Sequence, residues 1–169
     1  MENNTIPVIA PLFINPAAVL EHWQGHRRLT RRVIAAFPEE QLFTYSVGGM
    51  RPFSELATEI LIQSLGLPAV VSGDWEQAGE QVQQAKATPP RTKAEILAQW
   101  DEMTDKINAV WPQIAPGRFA ELDTAFGQYE GPIYSFILYW IDNEVHHRGQ
   151  GYVYLRALGI APPPFWDRN

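Results

Sequence analysis

Four polar side chains stand where the sequence pattern calls for apolar ones. Asn143 and His147 are one helical turn apart, in line with Trp140 and Tyr154. Glu59 lies beside Ile60, three residues after Leu56, and His26 falls between Trp23 and Thr30. A carboxylate or imidazole on such a face is costly to bury unless it is paired or ligated. Two chemistries meet that requirement. One is a divalent metal held by His147, Glu59 and either Asn143 or His26. An i, i+4 pair on one helix aims two groups at a common point, and imidazole nitrogen with carboxylate oxygen suits zinc, iron, nickel or manganese. The other is a metal-free polar network, with Glu59 accepting from His147 and Asn143 bridging to a tyrosine.

The remaining polar residues carry less. His22 is also four residues from His26, but it adjoins Glu21 at the stripe's edge and is expected in solvent. His146 points about 100° away from His147 and belongs at a helix interface or in solvent. Arg148 and Glu144 read as a surface i, i+4 pair worth tenths of a kcal/mol. Gly149 and Gly151 each cost ~1 kcal/mol relative to alanine inside a helix, which suggests close approach of another helix or of a ligand. The six tryptophans read mostly as core.

The elements that must position these groups are helical. Asn15-Pro16 is an N-cap followed by proline at the first helical position. Val19, Trp23, His26, Thr30, Val33 and Phe37 then recur at spacings of three and four. Arg27, Arg28, Arg31 and Arg32 lie mostly beside or opposite that stripe, and Pro38 ends it. A loop is expected from Pro38 to Met50. A second helix opens near Arg51-Pro52-Phe53, with Phe53, Leu56, Ile60 and Leu67 inward, and Gly66-Leu67-Pro68 weakens or ends it. Residues 69–87 suit a short helix or an ordered loop. Pro89-Pro90 is a linker, and Thr92-Lys93-Ala94-Glu95 is a capping box. Ile96, Trp100, Met103, Ile107 and Val110 follow at helical spacing until Pro112. Residues 113–131 form a mixed connection with a short extended stretch expected around Phe126 to Tyr129. The last helix runs from Pro132 to Gly159, about 40 Å at ~1.5 Å per residue. Four amphipathic helices without convincing strands make an all-α four-helix bundle the natural solution.

Composition bounds the chemistry. A chain of 169 residues fits one domain over 1–169 and should bury roughly 70% of its unfolded surface. The apolar fraction is 46% and the charged fraction 19%, values of a globular domain. With no cysteine, the chain supplies no disulfide, zinc finger, iron–sulfur ligand or thiol nucleophile. A net charge of −6 and a pI near 5.2 argue against nucleic acid as a partner. No apolar run reaches the ~20 residues of a membrane helix. The opening MENNTIPVIAPLF is acidic and broken by prolines, unlike a signal peptide. A soluble, cytoplasmic protein is expected.

The run His146-His147-Arg148-Gly149-Gln150-Gly151-Tyr152-Val153-Tyr154-Leu155-Arg156-Ala157-Leu158-Gly159-Ile160, then Ala161-Pro162-Pro163, resembles the closing motif of the DinB-like (DinB/YfiT) superfamily. Gly49-Met50-Arg51-Pro52-Phe53-Ser54-Glu55-Leu56 resembles the start of that family's second helix. The resemblance implies a four-helix bundle of up-down-down-up topology with extra short segments, often dimeric. It also implies a divalent metal, commonly zinc or nickel, on three histidines. The second-helix ligand falls on Glu59 here, and the two last-helix ligands fall on Asn143 and His147. Some members resemble thiol S-transferases, in which the metal holds a low-molecular-weight thiol as thiolate. A bound metal lowers the pKa of a thiol or water and makes a nucleophile at neutral pH.

Three functions follow. The first is a metal-dependent enzyme for thiol transfer or hydrolysis, with Glu59 and His147 as ligands. The second is a metal-free protein that binds a small-molecule ligand through Glu59, Asn143, His147 and His26. The third is a stress-associated homodimer whose interface is its function.

Overall fold

The computed structural model describes residues 14–169; the opening stretch read against a signal peptide lies outside them. Seven α-helices and one β-hairpin follow in order. They are α1 (Pro16–Ala36), α2 (Glu39–Thr44), α3 (Phe53–Ser64), α4 (Leu67–Ser72), α5 (Trp75–Ala87), α6 (Lys93–Val110), β1 (Leu122–Ala125), β2 (Tyr129–Pro132) and α7 (Ile133–Ala157). Short 3-10 turns at Trp111–Gln113 and Pro116–Ala120 connect α6 to β1. No helix among the described residues is long and apolar enough to cross a membrane.

The long helices α1, α3, α6 and α7 form the bundle. Trp23 meets Trp140 and His26 meets Arg148, so α1 and α7 run parallel. Gln24 reaches Asn108 while Arg31 reaches Asp101, so α1 and α6 run antiparallel. Phe53 packs on Gly151 and Trp140 on Gly66, so α3 and α7 run antiparallel. The directions are therefore up, down, down, up. One core of Trp23, Trp100, Phe37, Phe53, Ile107 and their neighbours fills the centre.

Local signals set the ends. The Asn15 side chain accepts from Ala18 N–H at 2.8 Å, and Thr92 accepts from Glu95 N–H at 3.1 Å. Glu95 reaches back to Arg91 N–H, one residue beyond the cap. Gly159 takes φ +76° and the Ile160 N–H returns to Leu155 C=O, closing α7 in a glycine-dependent turn.

Three expectations change. The loop from Pro38 carries α2, because Pro38 starts a new turn after ending α1. Residues 69–87 hold most of α4 and all of α5, and the Asp74 side chain caps the latter by accepting from Gln77 N–H at 2.9 Å. The extended stretch is a true two-stranded hairpin, Leu122 opposite Pro132 through Ala125 opposite Tyr129. Phe126 and Gly127 form its turn, both at positive φ.

Candidate functional site

The seam between α3 and α7 is closed at both ends by glycine. A Cβ on Gly151 would lie 2.5 Å from the Phe53 ring, and one on Gly66 would lie 2.8 Å from Trp140. Only glycine permits this approach. The close-approach reading therefore holds for Gly151, through helix packing, and not for Gly149, whose Cβ position is open.

Between those two contacts the seam brings Glu59, Asn143 and His147 together. Glu59 Oε1 lies 3.0 Å from His147 Nε2 and 3.4 Å from Asn143 Nδ2. Arg51 Nη2 donates to Glu59 Oε2 at 2.5 Å. An ionised carboxylate only accepts, so His147 presents its Nε2–H to Glu59. Burial pushes the Glu59 carboxyl up, but hydrogen bonds from Arg51 and His147 outweigh it and hold the group below its ordinary value. The Arg51 backbone is itself fixed, its C=O accepting from Tyr154 O–H at 2.9 Å. Asn143 turns to the carboxylate rather than to a tyrosine, and its Oδ1 is buried without a partner among the described residues. On the far side His147 Nδ1 faces Gln150 Oε1 at 3.4 Å, and Gln150 Nε2 faces the exposed His146 at 3.0 Å.

Arg51 and Glu59 open into a groove of about 1310 Å³ walled by α3, α5, the hairpin and the first half of α7. Phe126, Tyr129, Phe136, Tyr139 and Trp140 supply aromatic wall, and Glu55 and Lys86 supply charge. A smaller depression of about 290 Å³ between α3 and α6 adjoins the groove at Thr58, Ile62 and Pro90 but includes none of the cluster.

His26 is elsewhere. Its Nδ1 accepts from Arg148 Nη2 at 2.8 Å and its Nε2 faces His22 at 3.1 Å. Burial, then Arg148, Arg168 and His22, pull its pKa down to about 3. It therefore acts as a neutral acceptor within a second network. His22 is exposed, as expected.

The sequence pattern puts Glu144 and Arg148 of this second network on the surface, and the structure buries both. Glu144 is fully buried and Arg148 nearly so. Glu144 accepts from Thr30 O–H at 2.6 Å and from Trp23 Nε1–H at 3.3 Å. Arg148 and Arg27 approach it at 3.9 and 4.0 Å. Arg27 is also fully buried, its guanidinium 4.0 Å from the Trp100 ring centroid and donating to Thr104 Oγ1 and Trp100 C=O. α6 on one flank and α7 on the other cover α1 well beyond its apolar stripe, which is why positions beside the stripe are buried.

The implied metal needs three ligating groups with free lone pairs. Among the described residues no three His, Asp or Glu side chains converge. Glu59 and His147 are spent on each other, Arg51 occupies the second carboxylate oxygen, and an amide oxygen is a weak third ligand. The guanidinium also sets a fixed positive charge beside the place a cation would take. These residues do not fit a divalent metal.

The model of the DinB family matches residues 1–168. A DinB-like protein from Bacillus subtilis superposes with a TM-score of 0.70 at 18% identity, covering 89% of this chain and 99% of that one. A DinB-like protein from Bacillus cereus ATCC 10987 gives 0.64 at 17% identity, with 88% and 95% covered. These likenesses concern the fold. No protein of curated function matches.

Proposed function

The chain belongs to the DinB family, and from that premise we propose that it is a metal-free member that binds a small organic molecule in the groove beside Glu59. The observation that carries this reading is the state of the carboxylate. Arg51 and His147 take one Glu59 oxygen each, so the carboxylate that the family resemblance gives to a metal is paired within the chain. The ligand class is a neutral molecule with an aromatic or apolar body and a polar end. The Arg51–Glu59 pair cancels its own charge, Glu55 and Lys86 balance, and the walls are aromatic. Arg51, its side chain half exposed, offers further N–H donors at one end.

The test is metal content per chain by elemental mass spectrometry after incubation with zinc or nickel, on the wild type, His147→Ala and the double variant Arg51→Ala/Asn143→His. The expected result is metal far below one equivalent in the wild type, no change in melting temperature on adding chelator, and zinc uptake only in the double variant. In parallel, small aromatic molecules should raise the wild-type melting temperature and do so less for Tyr139→Ala. One equivalent of metal in the wild type, lost in His147→Ala, would overturn the proposal and return the chain to metal-dependent thiol transfer or hydrolysis.

A further inference from the structure

The helix α5 is buried only in its first turn. Its inward stripe runs Trp75, Ala78, Val82, Ala85, at spacings of three and four. Trp75 and Ala78 are buried, but Val82 and Ala85 remain partly exposed. Val82 lines the groove and Ala85 lines the smaller depression. The second half of α5 therefore roofs a hollow instead of packing into the core. Pro89-Pro90 follows, and Pro90 borders both spaces. The two prolines end α5 at that border.

The two spaces differ in their walls. The groove presents aromatic rings and the Arg51 guanidinium. The depression is lined by Leu61, Ile62 and Met103, all buried, with Leu65 and Ala85 completing the apolar surface. No aromatic ring lines it, and its charged residues, Glu102 and Lys106, are of opposite sign. Aliphatic carbon and one adaptable thioether suit an unbranched alkyl chain. At about 290 Å³ the depression falls just below the roughly 300–1,000 Å³ of small-molecule sites, which sizes it for part of a ligand. The two spaces meet at Thr58 and Ile62, one turn apart on the same face of α3. Arg51 precedes α3 and Leu65 follows it, so the polar end and the aliphatic end lie at opposite ends of that helix.

On the reading that the groove takes a small organic molecule, we infer that groove and depression form one slot for an elongated amphiphile. Its aromatic head lies beside Arg51. Its unbranched alkyl chain crosses Thr58 and Ile62 beneath Val82 and Ala85 and ends against Leu61, Leu65 and Met103. The chain leaves the ring opposite the polar substituent, because Arg51 and the depression lie at opposite ends of α3. Burying the chain also covers the stretch of the α5 stripe that the protein alone leaves exposed, so apolar surface is removed from water on both partners.

The experiment is isothermal titration calorimetry of the full chain with phenol and its para-ethyl, para-butyl and para-hexyl homologues. Each added methylene should tighten binding about fourfold. The para-tert-butyl isomer carries as many carbons as para-butylphenol but has a shorter reach, and it should bind more weakly. Ala85→Trp places an indole in the depression and should hold every homologue near the affinity of phenol. Circular dichroism reports whether that variant is folded, and the comparison of the two butyl isomers needs no variant at all. Affinity that does not rise with chain length, equal binding of the two butyl isomers, or a gain that survives in folded Ala85→Trp would overturn the slot and leave the groove as a site for compact molecules. Binding by no member of the series would overturn the slot and the groove reading together.

Discussion

At the residue scale the molecule holds two polar systems of opposite character. The Glu59 cluster is partly open to a groove. The Glu144 system is sealed in the core. Burial pushes the Glu144 carboxyl up, while Arg27, the Thr30 hydroxyl, Arg148 and the Trp23 indole pull the other way. Removing one member of a buried charge network leaves the others uncompensated, typically at 3–5 kcal/mol. Glu144→Ala should therefore lower the unfolding free energy by about that amount in urea denaturation, and a loss below about 1 kcal/mol would contradict the burial. His26 adds a pH dependence. Its folded pKa lies near 3, against 6.5 unperturbed, so the unfolded chain takes up the proton first on acidification. Its contribution is intact above 6.5 and is lost progressively as pH falls toward 3. His26→Gln should flatten the slope of stability against pH just below 6.5, above the range in which carboxylates titrate.

At the element scale the two glycines of the last helix part company. Gly151 lets α7 touch the Phe53 ring, so Gly151→Ala should destabilise by about 1–3 kcal/mol through overpacking. It should also disturb the Glu59–His147 contact, one turn away. Thr92→Ala removes a cap that satisfies the Glu95 N–H and should cost roughly 1 kcal/mol in thermal or urea unfolding. The same logic explains what the sequence revealed of these elements. Asn15-Pro16, Thr92 and Gly159 act within one turn of chain and were legible. Asp74 carries the same capping signal, yet the polar composition around it masks α5. The buried face of α5 is narrow, with only Trp75 and Ala78 buried.

At the scale of the whole molecule, the C-terminal tail returns to α1. Arg32 pairs with Asp167 at 2.8 Å, and Arg28 Nε donates to Arg168 C=O at 2.8 Å. The Arg168 side chain lies over Gly25, where a Cβ would come within 3.3 Å of it. This strap covers α1 on the side of His22 and His26. Deleting residues 164–169 should speed hydrogen exchange over residues 22–32 of α1 while leaving α3 unchanged. Equal protection in both chains would show that the strap bears no load.

The sequence by itself determined the four long helices, their inward stripes and the family resemblance, because those signals repeat every turn and are read by nearest neighbours. It also selected Glu59 and His147 as companions, with Asn143 or His26 as the third, since polar residues on an apolar stripe must meet something. Only the tertiary structure decided what they meet. Arg51 reaches Glu59 from eight residues away because Tyr154, on another helix, holds its backbone. His26 and Arg148 turn to each other, and Glu144 lies in the core rather than on the surface. Such outcomes depend on which helices flank α1 and how closely α7 approaches α3. Those are properties of packing between distant segments, and no local periodicity encodes them.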